Sequence, residues 1–204
     1  MDKINNAIYS KLPNLVLGFH GCNSETYKNV IHNNQHLKKS ENDYDWLGNG
    51  VYFWENSYER AYDWAYNRYG DDACVIGAVL DLGHCLNLTD YSSTEILQLG
   101  YKLLKAKYID IDMEIPKNKL GKDGNDLLLR NLDCAVIQNV HDFCKTTPNM
   151  QPFDSVRGVF TEGKEIYPGS GIVAKTHIQI CVVNTNCIKG YFTPLSMDNG
   201  YNLP

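Results

Sequence analysis

Three polar side chains interrupt apolar, strand-like runs: His20 at the end of "LVLGF", Tyr52 inside "GVYFW" and Gln179 inside "HIQICVV". Each has an ordinary structural reading. A strand-end histidine commonly meets solvent or a single hydrogen bond, and a strand tyrosine packs its ring and finds a partner for its hydroxyl. Gln179 is less bland, because a buried amide must have partners. Alternation along "HIQICV" puts His177, Gln179 and Cys181 on one face and Ile178, Ile180 and Val182 on the other. One face of that strand is therefore apolar, and the other can line a cleft.

The elements that must hold these residues follow from periodicity. Leu15 to Phe19 reads as a buried strand, after which Asn23 or Ser24 caps a helix with Tyr27, Val30 and Ile31 at helical spacing. Gly50 to Trp54 reads as a strand. Ser57 is a good N-cap for a helix on which Tyr58, Ala61, Tyr62, Ala65, Tyr66 and Tyr69 form one stripe. "CVIGAVLDLG" is apolar almost throughout, as a strand buried on both faces is, and "GHCLNLTD" continues as a turn and short strand. Ser92 and Glu95 make a capping-box pattern for a helix to about Tyr108. Asn125 can cap a second helix to about Cys144, with Val136, Val140 and Phe143 among its inward residues. "SVRGVF", "HIQICVV" and "CIKGYF" read as strands. Consecutive late strands without helices between them favour an α+β fold over a doubly wound sheet. No dinucleotide-binding glycine fingerprint follows a strand, and no P-loop occurs.

The chain has 204 residues, 43% of them hydrophobic, which suits one domain with a real core. A net charge of −5 with scattered lysines excludes the basic sleeve of an indiscriminate nucleic-acid binder and leaves room only for a local groove. No run of about 18 apolar residues offers a membrane span. "MDKINNAIYSKLPN" has no apolar signal core, so the expectation is a cytoplasmic protein. The seven cysteines include no C-x-x-C pair, and several sit in apolar runs where a reduced thiol acts as a small hydrophobe. Cys22 with His84 and Cys85, or His141 with Cys144, matches no standard zinc spacing, so no metal is expected.

Four segments in order carry a family resemblance. "FHGC", "GNGVYFWENSYERAY", "VIGAVLDLGHCLNL" and "SVRGVFTEGKEIYP" leading into "THIQICVV" resemble the motifs of the ADP-ribosyltransferases. The likeness is to the branch of poly(ADP-ribose) polymerase catalytic domains and diphtheria-type toxins, with its histidine–tyrosine–glutamate triad. It covers about Leu15 to Thr89 and Phe153 to Phe192. The middle, about 90–152, has no counterpart and reads as a helical insertion or variable region of a single domain.

The resemblance implies two packed, mostly antiparallel sheets flanked by helices, with NAD as co-substrate in the cleft between them. It makes Tyr52 the ring on which nicotinamide lies, with Tyr62 opposite it unless Tyr62 is simply core. His20 would hold a hydroxyl of the adenine-side ribose, and the Gly21 backbone would bind the nicotinamide amide. Ser57 would contact that amide or only cap its helix. Glycines beside the strand would let the backbone approach the ligand. Gln179 stands where polymerising members carry glutamate. An amide can accept a bond from the ribose hydroxyl but brings no full negative charge to the developing oxocarbenium ion, which argues against chain elongation. Glu162 or Glu165, in the loop before the last motif strand, could supply an acid. His177 is either a general base for the acceptor or structural. Arg157 is either a phosphate or acceptor contact or an exposed strand residue.

The implied activity is transfer of one ADP-ribose from NAD to a protein, RNA or DNA acceptor. A toxin or defence effector of this type would have an inhibitory, antitoxin-like partner. The alternatives are a non-catalytic module that binds NAD or ADP-ribose, and an NAD glycohydrolase.

Overall fold

The structure, a computed structural model, describes residues 15–121 and 126–195. The stretch read for an export signal and the helix cap read at Asn125 lie outside the described residues. In chain order the elements are β1 (Leu15–Asn23), α1 (Ser24–Ile31), β2 (Val51–Glu55), α2 (Tyr58–Tyr69), β3 (Ala73–Asp81), β4 (Cys85–Asn87), α3 (Tyr91–Asp110), α4 (Asn131–Thr146), β5 (Ser155–Phe160), β6 (His177–Val182) and β7 (Ile188–Phe192). Among the described residues this is an α+β fold of seven strands and four helices.

The strands form one ladder in the order β4-β5-β6-β2-β1-β3-β7, with only β4–β5 parallel. Two separate sheets were expected; here the two sides are joined, but narrowly. β1 pairs with β3 along its whole length from Leu15 to Asn23, whereas β1 and β2 pair only at Gly18↔Glu55 and Phe19↔Trp54. One apolar core spans the join, collecting Phe53 and Ile180 from one side with Ile76, Ala78 and Leu80 from the other. Gly18 permits this, because a Cβ there would come within 2.8 Å of the Phe53 Cβ.

On the opposite face, α4 contributes Ile137, Val140 and Cys144 to a cluster with Leu86, Val156 and Cys181. The region without a family counterpart is thus part of the core. α3 lies against α4 at Gly100, whose carbonyl accepts from Asn139 Nδ2 at 3.0 Å. Phe143, expected inward, is 40% exposed, because the buried stripe of α4 runs through Cys134, Ile137, His141 and Cys144 instead.

α2 packs over β1 and β3 through Ala61 and Ala65, both fully buried. The approach is so close that a Cβ on Gly21 would collide with the Ala61 carbonyl oxygen. Alanine is the side chain that fits such a contact. The tyrosines of the predicted stripe are therefore displaced outward, Tyr58, Tyr62 and Tyr66 being 44%, 43% and 51% exposed.

Candidate functional site

The narrow join is where His20 and Tyr52 meet. The Asn56 N–H donates to the Leu17 carbonyl at 2.9 Å, so strand alternation turns the backbone groups of Leu17, Phe19 and Gly21 toward β2. The β1–β2 ladder nevertheless stops at Phe19↔Trp54. Continued, the register would set Gly21 against Tyr52, but the Tyr52 carbonyl takes a hydrogen bond from His20 Nδ1 at 2.7 Å. A carbonyl only accepts, so Nδ1 carries the proton and Nε2 of the neutral ring is left as an acceptor. Burial holds the imidazole below its ordinary pKa, opposed by the bond to the Tyr52 carbonyl. At Gly21, which is buried under α2, the edge of β1 is thus not paired in the ladder with β2 and lies next to a neutral ring with a lone pair.

Tyr52 is fixed at its far end. Its hydroxyl donates to the Gly48 carbonyl at 2.7 Å and accepts from the Leu47 N–H at 2.8 Å. Burial pushes the phenol far above its usual range, so the side chain serves as a rigid, half-buried ring and not as an acid. Gly50 does not make room for a ligand as expected: the space a Cβ would need is filled by Cys181 Sγ and the Val182 carbonyl.

Pairing of β2 with β6 sets Trp54 against Gln179 and Tyr52 against Cys181, so these side chains share the face covered by α2 and α4. His177, two residues from Gln179, is on the same face. Its Nδ1 lies 2.7 Å from the Lys175 carbonyl, and its Nε2 lies 3.0 Å from Gln179 Nε2. Trp46, Trp54 and Phe160 surround the ring, with centroids 6.2, 6.5 and 6.1 Å away. Burial lowers the His177 pKa; the charges of Arg60, Arg130 and Lys175 add to that, and the Lys175 carbonyl opposes it. With both nitrogens engaged, His177 is poorly placed as a general base.

The remaining candidates separate clearly. Tyr62 is not brought to Tyr52; it stacks between Tyr58 and Tyr66 on the outer surface of α2, at centroid distances of 6.2 and 6.1 Å. Trp64, which the sequence reading passed over, is the α2 ring beside the site. It lies 5.8 Å from the Trp54 ring, and a Cβ on Gly21 would be 3.2 Å from its Cε3. Its signal was present, since it falls on the α2 flank adjoining Ala61 and Ala65.

Ser57 is at the N-cap of α2 without a side-chain capping bond, and its hydroxyl has no hydrogen-bond partner among the described residues. Arg157 is not a free surface residue, and its guanidinium is already engaged. Its Nε and Nη2 grip both Glu55 oxygens at 2.6 and 2.9 Å, and its Nη1 reaches Asn87 Oδ1 at 3.2 Å, bracing β5 to β2 and β4. Glu165 is occupied in an exposed turn, accepting from the Gly169 N–H at 2.9 Å. Glu162 is mostly buried and accepts from Arg60 Nη2 at 3.0 Å. Burial raises its carboxyl pKa against the pull of Arg60 and Lys175. Its carbonyl also holds the Lys175 N–H at 3.0 Å, which keeps it at the His177 end of the strand pair.

A cavity of about 500 Å³ opens between α3, α4 and the Trp46–Phe160 pair that also flanks His177, with the Arg130 guanidinium 4.5 and 4.8 Å from those two ring centres. His20, Tyr52 and Gln179 do not line it. Among the described residues, no three His, Cys, Asp or Glu side chains converge as a metal site would require, and no helix is long and apolar enough to cross a membrane. Comparison with protein-family models, with curated proteins and with solved structures returned no match.

Proposed function

We propose that the chain is an ADP-ribosyltransferase that moves a single ADP-ribose from NAD to a macromolecular acceptor and releases nicotinamide. In this reading the two sides of the β1–β2 join are the two sheets of that fold, and NAD lies across the join. The observation that carries the reading is the end of the β1–β2 ladder short of Gly21, where the His20 ring takes the Tyr52 carbonyl and the Tyr52 hydroxyl is fixed. A primary carboxamide offers a carbonyl acceptor and an NH₂ donor, the complement of a backbone N–H and C=O that the β1–β2 ladder does not take up. A flat cationic ring bearing that amide would gain about 1–2 kcal/mol by lying on the tyrosine once desolvated. Trp64 replaces Tyr62 as the opposing wall, and Ser57 has a hydroxyl to spare for the amide.

His20 Nε2 is a lone-pair acceptor suited to a ribose hydroxyl. The Gln179 carbonyl can accept from a hydroxyl of the nicotinamide-side ribose as positive charge develops on the sugar. Lacking the full charge of a carboxylate, it forgoes stabilisation of about 3 kcal/mol. That supports slow single transfer over chain elongation. Glu162, held by Arg60, is the retained candidate for an acid near the acceptor. The acceptor is a protein, RNA or DNA, and a cell making such an enzyme would need an inhibitory partner.

The test is label transfer from NAD, radioactive in its adenylate phosphate, into a cell extract. The expected result is label fixed on large molecules by the wild type and lost with His20→Ala and with Tyr52→Ala. Protease or nuclease sensitivity would identify the acceptor class. The neutral Gln179 favours one second reading, a binding module; intact NAD retained without nicotinamide release would select it. Release of free ADP-ribose with no fixed label would select a glycohydrolase.

A further inference from the structure

The side chain that does the least obvious work in this site is His177. It is 6% exposed, and Gln179 is 9% exposed. The Lys175 carbonyl, 2.7 Å from Nδ1, can only accept, so the ring proton sits on Nδ1. Nε2 of the neutral ring is then an acceptor, and the atom facing it at 3.0 Å must be the amide nitrogen of Gln179. The Gln179 Oε1 has no partner among the described residues and is not sealed from the surface. A chain of two hydrogen bonds from a backbone carbonyl therefore fixes which end of the amide is left over.

We infer that His177 is a positioning residue that turns the Gln179 amide so that its carbonyl oxygen, and not its NH₂, is presented to the sugar. The inference rests on the proposed transfer from NAD and explains how a neutral side chain serves where a carboxylate would need no orienting. A carboxylate accepts through either oxygen, whereas an amide presented the wrong way round offers donors to a cationic sugar. Protonation of His177 would reverse the arrangement. A ring with protons on both nitrogens can only donate, so the amide would flip to offer Oε1 to the ring and NH₂ to the site. Arg60 from α2, Arg130 ahead of α4 and Lys175 ahead of β6 all oppose that protonation, and Glu162, in the loop just beyond β5, is engaged by Arg60.

Two measurements test this. In the full chain labelled with nitrogen-15 at histidine, the His177 ring should appear as the Nδ1–H tautomer, and its Nε2 resonance should move with Gln179→Leu. An Nε2–H tautomer, or an unmoved Nε2, overturns the inference. Kinetically, His177→Phe should lower kcat by about 100-fold, the scale of a small misplacement of a reacting group, with little change in KM for NAD. The same substitution in a Gln179→Glu background should cost far less, because the acid needs no orienting. Equal losses in the two backgrounds would show a merely structural ring. His177→Gln, whose own carbonyl can accept from the Gln179 amide, should recover part of the loss and covers the case in which His177→Phe does not fold. Absence of any NAD turnover in the wild type would sink the transfer reading, and the ring spectra would still decide the hydrogen-bond chain.

Discussion

Two histidines are buried in this molecule on opposite terms. His177 on β6 has a carbonyl at one nitrogen and an amide at the other. His141 on α4 is 2% exposed, and neither of its nitrogens finds a partner among the described residues. Burial depresses both pKa values, that of His141 to about 4 with Lys145 assisting and Asp142 opposing. Burial therefore does not set the two rings apart. Partners do: His177 and Gln179 on β6 are held by the Lys175 carbonyl and by each other, although Trp54 Nε1 beside them has no partner among the described residues, whereas the nitrogens of His141 only carry a desolvation cost.

The comparison is most sharply broken at Gln179. Gln179→Leu should lower turnover by about 100-fold, close to 3 kcal/mol in the barrier, with a smaller change in NAD affinity by titration calorimetry. Equal losses in both would make the amide an ordinary binding contact.

Next in size is the response to acid. The folded pKa of His141 lies below its unfolded value of 6.5, so its stabilising contribution is complete above 6.5. It is lost as pH falls through the folded value of about 4, up to about 3 kcal/mol at 1.36 kcal/mol per unit. Urea unfolding across that window should show the loss, and His141→Leu should remove most of it while leaving stability at neutral pH unchanged or slightly raised. An acid response that survives in His141→Leu would shift the burden to His177 or His20.

The smallest effect belongs to the outer tyrosines. Tyr62→Ala should alter stability by no more than about 0.5 kcal/mol and leave NAD affinity alone, whereas Trp64→Ala should weaken NAD binding measurably. The reverse order would restore Tyr62 to the site.

Strand alternation was enough to bring Gln179 and His177 to one face, because a period of two leaves no choice once one face is apolar. α2 was harder. Its apolar and aromatic positions form two overlapping stripes, and periodicity does not say which is pressed against the sheet. The deciding contact is between backbones, Gly21 against Ala61, and is legible only as small residues on two distant segments. Arg157 illustrates a second limit: whether a strand arginine is free depends on Glu55, 102 positions away in the chain, which no local pattern reveals. The cap of α1 was one of two choices, and Asn23 takes it by accepting from the Thr26 N–H at 3.0 Å.

The two-residue pairing of β1 with β2 also has a mechanical meaning. A sheet joined over so short a length can hinge there, and its resistance to shear at that line comes from the shared core, the Asn56–Leu17 bond and the His20–Tyr52 bond. A small molecule bonded to Gly21 on one side and resting on Tyr52 on the other would serve as the missing rung. Occupancy would stiffen the fold across this short pairing, and the molecule's departure would restore the compliance.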